Sequence, residues 1–291
     1  AKKVLPLAVD VVSLAATETF AAELDGTFKA ALEGYLGVAG MDVAQDAATQ
    51  IFDQLGGTAN FNGLMIGGIY GNWEGVKSGF GQYVLGGGTL NVKSSTGWNS
   101  FGGGLCLAAK YHTRGDQSGA PGVFTQTGGV ANVEFVRFGV EKSDTTYNNR
   151  IGFGLLDLVG GRFNLGSSGF LLGTTWNLGA AEGESNACYR VRLTGGTFAP
   201  TGNVLTAQMD LPPSETPVDF EPQRDLIVQA PIWGEGTLRK TGPKKLVLED
   251  VSRFTGTIDV EEGALDIAAA AADPDSKNSL RFIPVPPSFD Q

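Results

Sequence analysis

Residues 51–57 read IFDQLGG and residues 123–129 read VFTQTGG, so the chain repeats an alternating apolar run that ends in two glycines. Three further segments share this layout: GQYVLGGGTLNV (81–92), LLDLVGGRFNL (155–165) and YRVRLTGGTFAP (189–200). From one segment to the next, the last glycine recurs after 31, 41, 32 and 35 residues. Recurrence at such intervals is typical of repeat proteins, whose units stack on one another to bury a continuous core.

Weaker copies of the phrase extend the series, with Gly26 upstream of the five pairs and Gly236 and Gly263 downstream. A second phrase, in which an apolar run meets glycine, occurs between the pairs as LMIGG (64–68), FGGGLCL (101–107), FVRFG (135–139) and FLLG (170–173). Each unit therefore holds about three short strands, and the anchor glycines predict about eight units.

Within a unit, the residue pattern has the period of a β-strand. Leu90 and Val92 share one side of GTLNV and Asn91 takes the other, as in a strand with one buried side. The same alternation recurs in RFNL, where Phe163 and Leu165 oppose Asn164. We therefore predict an all-β chain.

The stretch before the first glycine pair has a second interpretation. Between residues 43 and 55, apolar residues recur four apart, as in an amphipathic helix. Because IFDQLGG matches VFTQTGG, we favour a strand for residues 50–55. Short helices stay open for residues 41–49 and within residues 17–33.

The glycine pairs are best explained as the corners of a solenoid in which parallel strands stack about 4.8 Å apart. A corner that recurs in every turn requires positive φ or a close approach of backbones, and both favour glycine. The pairs could instead be two-residue hairpin turns of an antiparallel sandwich or barrel. Stacking also predicts inward ladders, with Phe124, Val130 and Val133 of one turn against Leu156, Phe163 and Leu165 of the next.

The composition argues against several classes of function. Glycine supplies 43 of the 291 residues, roughly twice its average share, which the corners explain. The net charge of −10 disfavours nucleic acid and anionic membranes as partners. No apolar run is long enough for a transmembrane helix. The opening AKKVLPLAVDVVSLAA is similar to a signal peptide, but Pro6 and Asp10 interrupt it, so a mature chain or fragment is the simpler interpretation.

Residues 232–267, IWGEGTLRKTGPKKLVLEDVSRFTGTIDVEEGALDI, resemble the autotransporter-associated β-strand repeat. The residues that carry the resemblance are Gly234, Gly236, Leu238, Lys240, Gly242, Leu246, Leu248, Phe254, Gly256, Ile258, Val260, Gly263 and Leu265. Lys244 departs from the pattern, which has glycine there. The resemblance covers about one eighth of the chain. It implies a right-handed parallel β-helix on the surface of a bacterial cell or outside it, anchored through a region beyond this chain.

The predicted organisation is one solenoid domain over residues 1–291. Residues 1–40 and 268–291 are expected to cap its ends, and residues 227–267 carry the autotransporter-type repeat. The segment LPPSETPVDFEPQRD (211–225) holds four prolines and is expected to interrupt the ladders. We interpret residues 206–226 as a surface loop or as a linker.

Candidate catalytic residues are few. His112 is the only histidine and lies in a polar loop beside the tripeptide Arg114, Gly115 and Asp116, a sequence that some adhesion receptors bind. The acidic residues are dispersed, since Asp144, Glu182 and Glu184 lie in polar loops and Asp157 alternates with leucines as an outward residue would. Cys106 and Cys188 lie two turns apart, about 10 Å by strand spacing, which predicts buried thiols rather than a disulfide. No metal or cofactor site is predicted.

Trp73, Trp98 and Trp176 are the candidate binding residues, because each lies in a polar loop and exposed aromatic rings bind sugars or proteins. They could instead pack under loops. Together these features predict an exported structural or adhesive stem that presents loops to a glycan, a host surface or its own copies. End-to-end stacking would make it a homo-oligomer or filament subunit. The alternative is a polysaccharide lyase or hydrolase, or a glycan-binding module, on the same fold.

Overall fold

The computed structural model describes residues 41–42, 50–70, 80–93, 104–111, 121–138, 154–172, 189–268 and 282–284. These residues form β-strands and connections without any helix. Every strand pair among them is parallel. For this part of the chain, the hairpin interpretation of the glycine pairs is therefore wrong and the all-β prediction is confirmed.

The strands form four sheets. Sheet 1 contains Gln50–Gln54 (β2), Gly81–Leu85 (β5), Gly122–Gln126 (β8), Gly154–Leu158 (β11), Tyr189–Leu193 (β14), Met209–Asp210 (β17), Ile232–Gly234 (β20) and Arg253–Phe254 (β23). Sheet 2 contains Thr58–Phe61 (β3), Thr89–Val92 (β6), Val130–Val133 (β9), Arg162–Leu165 (β12), Gly196–Pro200 (β15), Val218–Phe220 (β18), Thr237–Lys240 (β21), Thr257–Val260 (β24) and Phe282–Pro284 (β26).

Sheets 3 and 4 share the remaining strands. Sheet 3 contains Met41–Asp42 (β1), Leu64–Tyr70 (β4), Leu105–Tyr111 (β7), Val136–Phe138 (β10) and Phe170–Leu172 (β13). Sheet 4 contains Val204–Leu205 (β16), Leu226–Val228 (β19), Lys245–Leu248 (β22) and Ala264–Ile267 (β25). Sheet 4 continues the side of sheet 3, because Leu205 of β16 packs against Gly169, the residue before β13.

From β2 to β25 the chain visits these sheets in a fixed order: sheet 1, then sheet 2, then sheet 3 or 4, and back to sheet 1. We call one such set of three strands, for example β8, β9 and β10, a rung. Each rung pairs with the next through sheets 1 and 2, and also through sheet 3 or sheet 4 except between β13 and β16, which is consistent with a parallel β-helix. The second sequence phrase forms sheet 3, where Leu64, Leu105, Val136 and Phe170 are successive partners.

The interior is one apolar cluster built from the inward residues of every rung. Aromatic rings stack along it, with centroids of Phe52 and Tyr83 4.9 Å apart and those of Tyr83 and Phe124 5.8 Å apart. A second stack joins Phe163 and Phe198 at 6.2 Å. Contacts of this kind stabilise the core beyond the burial of apolar area alone.

The glycine pairs form the corner between sheets 1 and 2, as predicted. The last glycine of each pair has positive φ, at Gly57 (65°), Gly88 (73°), Gly129 (63°), Gly161 (75°) and Gly196 (74°). These glycines also stack directly, since a Cβ on Gly88 would lie 2.2 Å from the oxygen of Gly57. Glycine is thus required both for its left-handed backbone and for the close approach of successive rungs.

The structure corrects the placement of one corner residue, Gly263. Gly236 lies at the corner between sheets 1 and 2, but the next glycine there is Gly256, whose Cβ would meet the oxygen of Gly236. Gly263 instead stacks on Gly242 at the corner between sheets 2 and 4. The rungs are shorter here, as the pairing of Leu238 with Ile258, 20 residues later, shows. A repeat length of about 30 residues therefore leads from Gly236 to a glycine at a different corner.

One predicted ladder is displaced by a residue. Leu156 pairs with Phe124 and Leu165 with Val133, as expected. Phe163, however, pairs with Ala131, which is fully buried, whereas Val130 pairs with Arg162 and is only partly buried. The inward position of this strand therefore holds the smaller residue.

The interruption expected at residues 211–225 is not observed in sheets 1 and 2, because β17 ends just before this segment, β18 lies within it, and both continue their sheets. Pro217 precedes β18 and Pro222 follows it, so these prolines stand beside the ladder rather than inside it. Near the other end, residues 50–54 form a strand as predicted. Met41–Asp42 is also a strand, while the other residues suggested as helical lie outside the described part.

Candidate functional surface

The outer side of sheet 2 carries a ladder of asparagines, one from each of four successive rungs. Asn91 Nδ2 donates to Asn60 Oδ1 at 2.7 Å, and Asn132 Nδ2 donates to Asn91 Oδ1 at 2.8 Å. Asn164 Nδ2 donates to Asn132 Oδ1, also at 2.8 Å. Asn91 and Asn132 each use one proton and one lone pair in the ladder, so their amides have further hydrogen-bonding capacity. The result is a neutral, polar strip.

The strip ends in a charged clamp. Arg162 Nε donates to Asn164 Oδ1 at 2.9 Å, and its two terminal nitrogens donate to Glu221 at 2.8 and 2.9 Å. The clamp passes over Ala199, which is fully buried on the intervening rung. The hydrogen bond from Arg162 lowers the pKa of Glu221, and that with Glu221 raises the pKa of Arg162. A bidentate pair of this kind joins rungs that do not touch directly.

Beyond the clamp, the outer side of sheet 2 becomes charged. Arg239 Nε donates to Asp219 on the preceding rung at 2.6 Å, and its Nη1 lies 3.3 Å from Glu261 of the following rung. The hydrogen bond with Asp219 raises the pKa of Arg239. Charges of opposite sign thus alternate along this half of the sheet, while the asparagine half is neutral.

Sheet 1 has its own outer row of charges. Asp157 accepts two bonds from Arg192 of the next rung, at 2.8 and 2.5 Å, and this raises the pKa of Arg192. Asp210, Trp233 and Arg253 continue the same row. The guanidinium carbon of Arg253 lies 4.8 Å from the centre of the Trp233 ring, within the range of a cation–π contact.

Buried glutamines close the corners from inside. Gln54 Nε2 donates to the oxygens of Gly56, Gly57 and Thr89, at 3.2, 3.4 and 3.0 Å. Its Oε1 accepts from the hydroxyl of Tyr83 at 2.6 Å. The amide therefore ties both corner glycines to the next rung, which explains why a glutamine precedes the glycine pair in IFDQLGG.

Gln126 repeats this clamp in VFTQTGG. Its Nε2 donates to the oxygens of Gly128, Gly129 and Arg162 at 3.1, 3.1 and 3.0 Å. Its Oε1 is buried and accepts no hydrogen bond. The next rung has Leu156 where the rung beyond Gln54 has Tyr83, so no hydroxyl reaches this oxygen.

Lys240 performs the same task at the corner between sheets 2 and 4. Its Nζ donates to the oxygens of Thr241, Gly242 and Glu262 at 2.7, 2.6 and 3.0 Å. The side chain is completely buried, and burial lowers its pKa while the charges of Glu262 and Glu221 oppose that shift. The lysine of the autotransporter-type pattern thus has a structural role here.

The structure leaves most of the predicted site residues untested. Trp73, Trp98 and Trp176 all lie outside the described residues, as do His112, Arg114, Gly115 and Asp116. The same holds for Asp144, Glu182, Glu184 and Cys188. The described strands do show where the connections that contain them begin and end.

Two predicted positions can be examined. Asp157 points outward as expected, but it is only 4 % exposed, because Arg192 covers it. It is therefore not the solvated carboxylate that its alternation suggested. Cys106 is fully buried in β7, as predicted, where it lies between the buried residues Leu105 and Leu107.

Sequence reasoning missed the asparagine ladder and the Trp233–Arg253 pair. The ladder had a signal, because Asn60, Asn91, Asn132 and Asn164 each follow a glycine pair by three residues. The Trp233–Arg253 pair had a weaker sequence signal, since the two residues become neighbours only through the register of sheet 1.

The described residues contain no group of three or more histidine, cysteine, aspartate or glutamate side chains that could hold a metal ion. They also include no helix capable of spanning a membrane. No protein-family model matches the chain, and no curated protein or solved structure is significantly similar to it.

Proposed function

We propose that the protein is an exported bacterial stem, located at the cell surface or outside the cell, with a structural and adhesive role. The stem is a right-handed parallel β-helix of about eight turns, related to the autotransporter-associated repeat proteins. Residues 232–267 support this relation, because their pattern coincides with rungs of about 20 residues in which Leu238 pairs with Ile258. The lysine of that pattern, Lys240, clamps the corner.

The observation that carries the proposal is the position of the long connections. Four of them, residues 71–80, 112–121, 139–153 and 173–188, begin at the end of a sheet 3 strand and end at the start of a sheet 1 strand. Because Gly81, Gly122, Gly154 and Tyr189 are successive partners, these endings follow one edge of the stack. The four connections therefore rejoin the stack one above another along a single edge, which is where an adhesive stem would present its loops.

Two of the candidate tryptophans belong to this row. Trp73 lies in the connection after β4 and Trp176 in the connection after β13, whereas Trp98 lies between β6 and β7 at another corner. The rungs of β4 and β13 are three apart, about 14 Å at the usual strand spacing. A ligand that reaches from the end of β4 to the end of β13 would have to span about this distance, as several units of one extended glycan chain do.

Binding to a panel of neutral and acidic polysaccharides tests the proposal. We expect saturable binding without turnover, weakened at least about tenfold by Trp73→Ala together with Trp176→Ala, as for loss of stacking contacts. Trp233→Phe is the matched control, because Trp233 lies on sheet 1 beside Arg253 and away from that row. Release of new sugar ends would support a lyase or hydrolase instead, and absence of binding to every polymer would contradict the adhesive role.

A further inference from the structure

The asparagine ladder on sheet 2 repeats one chemical group at a fixed interval. Its four asparagines are direct partners on successive strands, so their amides recur about 4.8 Å apart along the stack. Asn132 is exposed, and Asn91 and Asn164 are partly exposed. The strip therefore presents a regular series of amides at the surface of the described rungs.

The ladder leaves hydrogen-bonding groups of its inner amides unused. Asn91 and Asn132 each donate one N–H and accept one hydrogen bond within it, and neither makes a further hydrogen bond to a described residue. An amide has a second N–H and a second lone pair. A partner that donates and accepts through the same group, as a hydroxyl does, can use both.

The rows beside the ladder carry no net charge. On the side of the corner with sheet 1, the flanking residues are neutral and partly exposed: Thr58, Thr89 and Val130. The next residue of that row is Arg162, whose charge is paired with Glu221. On the other side, Lys93 and Glu134 are exposed and opposite in charge. With a net charge of −10 on the whole chain, the strip favours a neutral partner over a polyanion.

We propose that this strip binds an extended neutral polysaccharide, which lies along the ladder and crosses several rungs. The sugar hydroxyls pair with the unused N–H and lone pair of each inner amide. Sugars of an extended chain repeat at an interval close to the strand spacing, so one chain meets successive amides in turn. The inference goes beyond the function proposed above, because that function rests on connections at a different edge of the stack.

Protection of lysines from acetylation tests the strip on the unmodified full chain. Lys93 is exposed and follows Asn91 by two residues, whereas Lys244 is exposed at the corner between sheets 2 and 4. The neutral probes are hydroxyethylcellulose and mannan, and the acidic probe is carboxymethylcellulose, which shares the backbone of the first. We expect a neutral polymer to suppress acetylation of Lys93 but not of Lys244, and the acidic polymer to suppress neither.

Substitutions within the ladder test the amides themselves. Asn91→Asp and Asn132→Asp each replace a donating nitrogen with a charged oxygen, and each should weaken binding of the neutral polymer about threefold to tenfold through lost hydrogen bonds. Gln82→Glu is the matched control, because it makes the same change on sheet 1 in the rung of Asn91 and should leave binding unchanged. Circular dichroism and thermal unfolding check that each variant is folded.

Lys93 left unprotected by both neutral polymers would overturn the inference, as would binding that neither asparagine variant weakens. Protection of Lys93 that rises with protein concentration in the absence of polymer would also overturn it, because a second copy would then cover the strip. Protection by carboxymethylcellulose alone would contradict the preference for a neutral chain.

The variant that combines Trp73→Ala with Trp176→Ala separates this inference from the adhesive role of the connections. If only the strip binds, this variant binds as the unmodified protein does and Lys93 is still protected. If only the connections bind, the variant loses binding, and Lys93 is unprotected in the unmodified protein as well.

Discussion

At the scale of single residues, the last glycine of the later pairs at the corner between sheets 1 and 2 combines positive φ with a close approach to the preceding rung, whereas the first glycine of those pairs meets only the close approach. Gly129 needs a left-handed backbone and also lies where a Cβ would be 2.6 Å from the oxygen of Gly88. Gly56 belongs to the same set of corners, yet a Cβ added to it would meet nothing within 4 Å, and its φ is not positive. The two glycines thus differ in what they contribute.

We expect Gly129→Ala to lower the free energy of unfolding by about 2 kcal/mol or more, because the strain of positive φ adds to the steric overlap. Gly56→Ala should change it by no more than about 0.5 kcal/mol. Urea denaturation of both variants measures the difference. Similar losses in the two variants would show that the stacked corner is not the reason for the glycine.

The two glutamine clamps offer a second comparison. Leucine already occupies this inward position on neighbouring rungs, since Leu85 pairs with Gln54 and Leu158 pairs with Gln126. A leucine in place of either glutamine should therefore fit the corner without new strain. Gln54→Leu leaves the buried hydroxyl of Tyr83 without its hydrogen-bond acceptor, whereas Gln126→Leu removes an oxygen that accepts no hydrogen bond. Both lose the three bonds from Nε2.

Gln54→Leu should therefore lower the free energy of unfolding by about 1–3 kcal/mol more than Gln126→Leu does, which is the expected penalty for a buried donor without an acceptor. Denaturant unfolding of the two variants measures this difference. Adding Tyr83→Phe to Gln54→Leu should recover part of the loss. Equal costs for the two leucine variants would contradict this account of the corner.

At the scale of elements, the sheets were largely readable from the sequence. Glycine pairs and the period of two predicted the corner and the strands, because both are physical requirements of stacked parallel rungs. The displaced ladder at Ala131 was avoidable, since counting from the glycine pair places Ala131 and Leu90 at the same inward position. Val130 was assigned to the inward position because it is the larger apolar residue.

The missed elements have other causes. Pro217 and Pro222 suggested a break, but a strand of three residues, β18, fits between them. The shortened rungs of the carboxyl-terminal half concealed which corner Gly263 occupies. The candidate surface was harder to predict, because the pairs Arg162–Glu221 and Trp233–Arg253 depend on registers between distant residues.

The clamp between Arg162 and Glu221 predicts a pH dependence. The pKa of Glu221 is lowered from its ordinary value of 4.5, chiefly by the hydrogen bond from Arg162. Because the folded pKa lies below the unfolded one, the stabilisation is complete above about pH 4.5 and is lost as the pH falls through the folded pKa. Both side chains are about one third exposed, so the contribution is at most about 1 kcal/mol.

Thermal unfolding of the protein and of Glu221→Gln should differ at neutral pH and converge in acid. Glu134→Gln, at an exposed position on an earlier rung, serves as the control and should behave like the unmodified protein throughout. A gap between Glu221→Gln and the unmodified protein that persists unchanged into strong acid would show that the carboxylate charge is not involved.

At the scale of the whole molecule, stability should fall toward the carboxyl-terminal end of the described stack. Leu246 and Leu265 are partners in one ladder, but among the described rungs only Leu246 has one on both sides. Leu246→Ala should cost about 2–5 kcal/mol as a buried truncation. Leu265→Ala should cost clearly less, because its side chain is already partly in water.

Denaturant unfolding at low protein concentration measures these two variants. Hydrogen exchange should follow the same trend, with amides of β22 better protected than those of β25. Equal costs and equal protection would mean that the last rung is covered as well as the inner ones.

The edge between sheets 3 or 4 and sheet 1 has an evolutionary consequence. One rung crosses this edge through residues 173–188 and the next through residues 206–208, yet the sheet 1 strands that follow them, β14 and β17, stay in register. Insertions and deletions at this edge therefore need no compensating change in sheet 1, and a lineage could vary the length and sequence of these connections freely. For the same reason, a foreign peptide grafted into residues 229–231 should be displayed without disturbing the fold.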